Sequence, residues 1–121
     1  MAANAAWSDL NTHRSGTSWD GLSFIPRDAD KVPLDLTGAT VRFVLFDACR
    51  AKLVEWTLGA GITYELEDPE DVQSPLVLKI HGPNVVTIPG GKHHYFLEIT
   101  LLDGRVLVVL EGGWLIVESI P

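Results

Sequence analysis

Two adjacent histidines, His93 and His94, are the most chemically suggestive pair in this 121-residue sequence. Imidazole binds metals and moves protons near neutral pH. The pair runs into Tyr95-Phe96-Leu97-Glu98-Ile99, which alternates as a strand does, and neighbours on a strand point to opposite faces. The two rings therefore do not easily share one ion. A zinc centre needs further ligands, and nothing in the spacing brings His13 or His81 to them. Polar residues flanking a turn are the better reading. Asp28 and Asp30 bracket Ala29 with the spacing of a calcium loop. Such a loop continues with more oxygen ligands and a bidentate acid, whereas Lys31, Val32 and Pro33 follow here, so a solvated turn is expected. Glu65, Glu67, Asp68, Glu70 and Asp71 form the densest run of charge. It suits a divalent cation or a basic partner, but a solvated loop is the commoner use of such a run.

Nothing else spells out catalysis. Cys49 is the single cysteine, so no intrachain disulfide forms, and it is expected as a small half-buried residue at a strand end. The serines lack the sharp strand-to-helix setting of a nucleophile. No glycine-rich loop leads into a helix to cradle phosphate. Trp19, Trp56, Trp114 and Tyr64 could line a sugar-binding face, although aromatic residues on strands more often fill the core. The expectation is a chain with no enzymatic activity, no cofactor and no metal site.

Charge and composition narrow the partners. The formal net charge is −7, and the nine lysines and arginines are scattered. That argues against a nucleic-acid surface, which needs clustered bases. Apolar residues make up 46% and charged residues 21%, which argues for a packed domain over a disordered one. The first six residues carry neither a basic region nor a long apolar run, so no secretory leader is expected. The longest apolar run, Val106 to Leu110, is far too short to cross a bilayer, and no membrane partner is expected.

Stepping along the chain, every strong signal is β. Residues 1–18 are mostly small and polar and read as a mobile or loosely docked arm, with Trp7 seeking a groove on this chain or a neighbour. Residues 19–121 read as one domain. Strands are expected around Leu22–Pro26, Ala39–Ala48, Lys52–Leu58, Ile62–Leu66 and Leu76–Ile80. Val85–Ile88 is a short strand or an extended link, and a long strand follows from Tyr95 to Leu101. Asp103-Gly104 signals a hairpin, and Gly59-Ala60-Gly61 another. Gly112-Gly113 is read as a turn between Arg105–Leu110 and Trp114–Ile120. No segment carries a 3.6-residue period. Turns every eight to twelve residues suggest an all-β, immunoglobulin-like antiparallel β-sandwich of about seven to nine strands, with a short N-terminal arm.

One ordered set of motifs carries a resemblance. Val32-Pro33-Leu34-Asp35-Leu36-Thr37-Gly38-Ala39-Thr40-Val41 is an extended turn running into an alternating strand. Ile62 to Asp71, Pro89-Gly90, His94-Tyr95-Phe96-Leu97-Glu98-Ile99, Leu102-Asp103-Gly104-Arg105 and Glu111-Gly112-Gly113-Trp114 follow in order. From Trp19 to Ile120 the chain resembles the small β-sandwich domains of tailed-phage virions, typified by the N-terminal domain of phage baseplate upper proteins. The resemblance implies a non-enzymatic structural component of a phage or prophage virion, of tail or baseplate, assembled in the bacterial cytoplasm and docked to other virion proteins. A head decoration or connector protein is a close variant, and a carbohydrate-binding module for host attachment is the alternative.

Self-association is expected from the residues themselves. Val106–Leu110 and Trp114–Val117 are apolar on both parities, while one sandwich needs only one face. A homo-oligomer follows, with Leu107, Val109, Leu115, Val117 and Trp7 as the interface, or else Val106, Val108, Trp114 and Ile116 on the opposite parity. A positive mean hydropathy of +0.18 points the same way.

Overall fold

The computed structural model describes residues 6–118, with Ala6 and Trp7 described by their backbone alone. This span contains nine strands and no helix: β1 (Ala6–Trp7), β2 (Leu10–Arg14), β3 (Leu22–Phe24), β4 (Thr40–Phe46), β5 (Lys52–Leu58), β6 (Gly61–Leu66), β7 (Leu76–Ile80), β8 (Gly91–Thr100) and β9 (Val106–Val117). They form one mixed sheet in the order β1-β9-β8-β4-β5-β6-β7-β3, with β2 also on β9. The all-β, sandwich-like fold expected from the turn spacing is the fold observed. Most pairs are antiparallel, but β1 and β2 run parallel to β9 and β5 meets β6 in parallel.

Alternation along the strands builds the core. Val41, Phe43 and Leu45 of β4 lie on the same face as Tyr95, Leu97 and Ile99 of β8, and all six are buried. Ile62, Leu78 and Ile80 from the far end of the sheet enter the same cluster, as do Leu36, Val86 and Ile88 from the links. Each fully buried Phe, Leu or Ile contributes about 1.5–3 kcal/mol, so this shared interior holds the curled sheet closed. The curl comes at β5/β6. Gly59 and Gly61 have φ of +82° and +103°, and a Cβ on Gly61 would lie 2.8 Å from the Trp56 Cβ. The chain folds tightly over Trp56 instead of making the expected hairpin, so β6 leaves β5 after two paired positions and runs along β7.

Two expectations for the chain ends are corrected. The first concerns Gly112-Gly113, which is no turn: β9 runs unbroken from Val106 to Val117. The glycines are there for space. A Cβ on Gly112 would lie 2.1 Å from the Ser8 carbonyl oxygen, so only glycine lets a neighbouring backbone approach this closely. The second concerns that neighbour, the N-terminal segment, which is tied into the sheet and is not loosely docked. Ser8 N–H donates to Glu111 O and Ser15 N–H to Val117 O. Gly113 N–H donates to Asp9 Oδ1, the Trp114 indole to Asn11 O, and the Tyr95 hydroxyl to Ser8 O. Sequence reasoning sees small polar residues here; the structure uses their short side chains and bare backbone as bonding groups.

Candidate functional site

The histidines fall where strand alternation puts them, on opposite faces of β8. His93 is buried, and its Nε2 lies 2.6 Å from Pro89 O. Its Nδ1 is enclosed and has no partner. His94 is on the outer face, its ring 5.0 Å from Phe46. His13 is buried on β2, with Nε2 2.9 Å from Val86 O, and His81 Nδ1 lies 2.6 Å from Gly82 O. The four rings hold backbone at separate places. Among the described residues, no three His, Cys, Asp or Glu side chains are grouped to hold a metal ion.

The acidic candidates are turn-formers. Asp28 Oδ1 accepts from the Asp30 and Val32 amides. Asp68 and Asp71 accept from the amides two residues on. Glu65 pairs with Lys79 at 2.6 Å. Cys49 is exposed in the turn after β4, where Asp47 Oδ1 accepts its amide, and is not half-buried as expected. Trp19, Trp56 and Trp114 do not form a platform. Trp19 lies 4.7 Å from Trp114 and 5.8 Å from Trp56, and Phe43 stacks on Trp56 at 5.0 Å and Tyr95 at 5.3 Å. These rings are core. Tyr64 alone of the four candidates is exposed.

The expected interface set divides. Pairing of β8 with β9 shifts register between Leu97/Leu110 and Glu98/Val108, a β-bulge that exchanges the parities of β9 midway. Before the bulge Leu107 faces inward; after it Leu110, Trp114 and Ile116 do. Leu107 is thus corrected from interface to core, and Val109 packs half-buried against the core cluster. In the alternative set, Trp114 and Ile116 are corrected likewise. Leu115 and Val106 remain outside, 39% and 55% exposed, with Val108 and Val117 half-buried. Trp7's side chain lies outside the described residues. A single inserted residue defeats any face assignment made from strict alternation.

What the structure assembles instead is the outer face of β5, β4, β8 and β9. Phe46 of β4 and Phe96 of β8 lie 6.0 Å apart, beside buried Val44. Next to them runs an ion ladder. Arg42 Nε donates to Glu98 Oε1 at 2.9 Å, Arg42 Nη1 lies 3.8 Å from Glu55, and Lys52 Nζ is 2.8 Å from Glu55. The hydrogen bond to Glu98 raises the Arg42 pKa, and the one from Lys52 lowers that of Glu55. The Arg42 guanidinium also sits 5.5 Å from the Phe96 ring centre. These pairs are exposed and add little to stability, but they fix rotamers and cancel charge. Beside Phe46 and His94 an open hollow of about 600 Å³ is bounded by Asp47, Ala48 and Arg50. No nucleophile or general base converges on it.

No protein-family model matches the chain, and no curated protein does. Among solved structures it is similar to CopC from Methylosinus trichosporium OB3b, with 10% identity and a TM-score of 0.44 over 91% of this chain and 87% of that one. The virion function expected above is corrected by these findings: the solved structure it resembles is a CopC, and no family or curated relative supplies a phage context. The carbohydrate-binding alternative falls with it, because three of its four aromatics form the core.

Proposed function

We propose that this domain is a non-catalytic protein-interaction module, and that a second copy of the chain meets its outer sheet face. The observation that carries the reading is a face at once apolar and electrically balanced. Leu115 and Val106 are exposed, and Phe46, Phe96 and Val108 are half-covered. Around them Lys52, Arg42 and Lys92 stand against Glu55, Glu98 and Glu111. Two molecules of net charge −7 repel, but surfaces whose charges cancel internally meet without that penalty. A twofold pairing would bury the same patch on both copies. Neither nucleic acid nor membrane is proposed as a partner, since no basic surface is present to receive phosphate.

Sedimentation velocity across the micromolar range tests the reading. The expected species is larger than one chain, and Val108→Lys with Leu115→Lys reduces it to a monomer that melts like the parent. A monomeric parent overturns the proposal, as does a double variant whose mass is unchanged.

A further inference from the structure

The opposite character appears at one end of the molecule, where the segments 26–37, 66–75 and 101–106 come together. Leu102 is 75% exposed, Val72 77% and Val32 55%, three of the largest apolar exposures among the described residues. They are held in place. A Cβ on Gly38 would lie 2.9 Å from Leu102 Cδ1, so Leu102 rests directly over that turn. Val32 is fixed by its amide bond to Asp28 Oδ1. The ridge Pro33-Leu34-Asp35 separates two grooves of about 590 and 510 Å³, the first reaching Leu102 and the second reaching Val72 and Pro75.

The charge here is unbalanced. These three segments carry eight of the acidic residues and three basic ones, which accounts for five of the seven net negative charges. Among the described residues, no ion pair reaches Asp28, Asp35, Glu67, Asp68, Glu70 or Asp71. A second copy is repelled from such an end, whereas a cationic chain is drawn to it and finds exposed leucine and valine to cover. We infer that this loop end docks a basic segment of a different protein, in which lysine or arginine alternates with apolar anchors that enter the two grooves. The inference rests on reading the domain as a non-catalytic interaction module, and it uses a surface separate from the self-association face.

The probe is a fluorescently labelled twelve-residue peptide of alternating lysine and leucine, with all-lysine and alternating glutamate–leucine peptides of the same length beside it. Fluorescence anisotropy against the full chain should give saturable binding of the lysine–leucine peptide alone. That binding should weaken about tenfold or more from 0.01 to 0.15 M salt, as the screening length falls. Val72→Ser with Leu102→Ser, and separately Glu67→Gln with Glu70→Gln, should each weaken it at least about fivefold, as loss of an interface anchor does. All four positions are exposed, so the variants should melt like the parent, which calorimetry checks. Equal binding of the all-lysine peptide, or no effect of Val72→Ser with Leu102→Ser, overturns the inference. So does a fall in sedimenting mass in that variant, which makes a second copy the occupant. A monomeric parent that still binds the peptide refutes the self-association proposal and leaves this one standing.

Discussion

Gly112→Ala is the most discriminating single change in this fold, because it adds one methyl group at a point of backbone contact. The new Cβ would lie 2.1 Å from Ser8 O, 2.6 Å from Ser8 C and 3.2 Å from Asp9 N. All three are main-chain atoms, so no side chain can swing aside. The segment through Ser8 and Asp9 must move by more than an ångström. Four hydrogen bonds are then at risk: Ser8 to Glu111, Tyr95 to Ser8, Gly113 to Asp9, and Trp114 to Asn11. At about 1 kcal/mol net for each, the expected loss is roughly 2–4 kcal/mol in urea denaturation, depending on how far the segment re-seats. Amide exchange supplies the local readout, since protection at Ser8 and Gly113 should fall while that in β4 and the centre of β8 persists. Gly104→Ala is the control. No atom lies within 4 Å of its added Cβ, and its cost is only backbone strain at φ +93°, about 1 kcal/mol. A Gly112→Ala protein within about 0.5 kcal/mol of the parent, the range of ordinary surface changes, with Ser8 still protected, would refute the reasoning.

Leu107→Ala should cost about 2–4 kcal/mol as a core truncation, while Leu115→Ala on the next-but-one outward position stays below about 1 kcal/mol; chemical denaturation separates them, and equal losses would deny the bulge its effect. Burial pushes the Tyr95 hydroxyl up to about 12, against 10 when unfolded. The unfolded chain therefore releases this proton first, and stability present below pH 10 is lost as pH rises toward 12, by up to about 2 kcal/mol; Tyr95→Phe should flatten that limb of the stability profile. The amide of Thr37 holds the Asp35 carboxylate below its ordinary pKa. Its contribution is present above the unfolded value and disappears as pH falls through the lowered one, so Asp35→Ala should weaken the acid dependence of the melting temperature without steepening it elsewhere.

The strands from Thr40 to Thr100 were legible because alternation, a Thr-Gly turn and flanking breakers agree there. Gly38 sits at φ +70°, as the reversal after Thr37 requires. Lys52–Leu58 and Leu76–Ile80 fall on the expected residues. What failed were features set by distant chain. Gly112 looks like a turn residue until the Ser8 backbone is laid beside it. Gly16 looks unconstrained, yet it has φ +85° and its amide donates to Val86 O. Of the candidate interface, Leu115 was placed correctly outside and Leu107 was not, since a bulge leaves no mark on a run of valines and leucines. The acidic loop was visible as charge, but its nearness to Leu102 and Val32 depends on tertiary folding alone.

The parallel seating of β1 and β2 on β9 also bears on how the chain is made. Asp9 and Gly113 are bonded across 104 residues. At about 5–20 residues per second on a ribosome, the first strands wait roughly 5–20 s before their partner has been synthesised. Throughout that interval the β4–β8 hairpin can form but the bonding edge supplied by β9 does not exist. The N-terminal segment therefore belongs to the last step of vectorial folding although it emerges first. A nascent chain stalled before Val106 should expose that segment to protease or to a chaperone, and one released past Val117 should protect it.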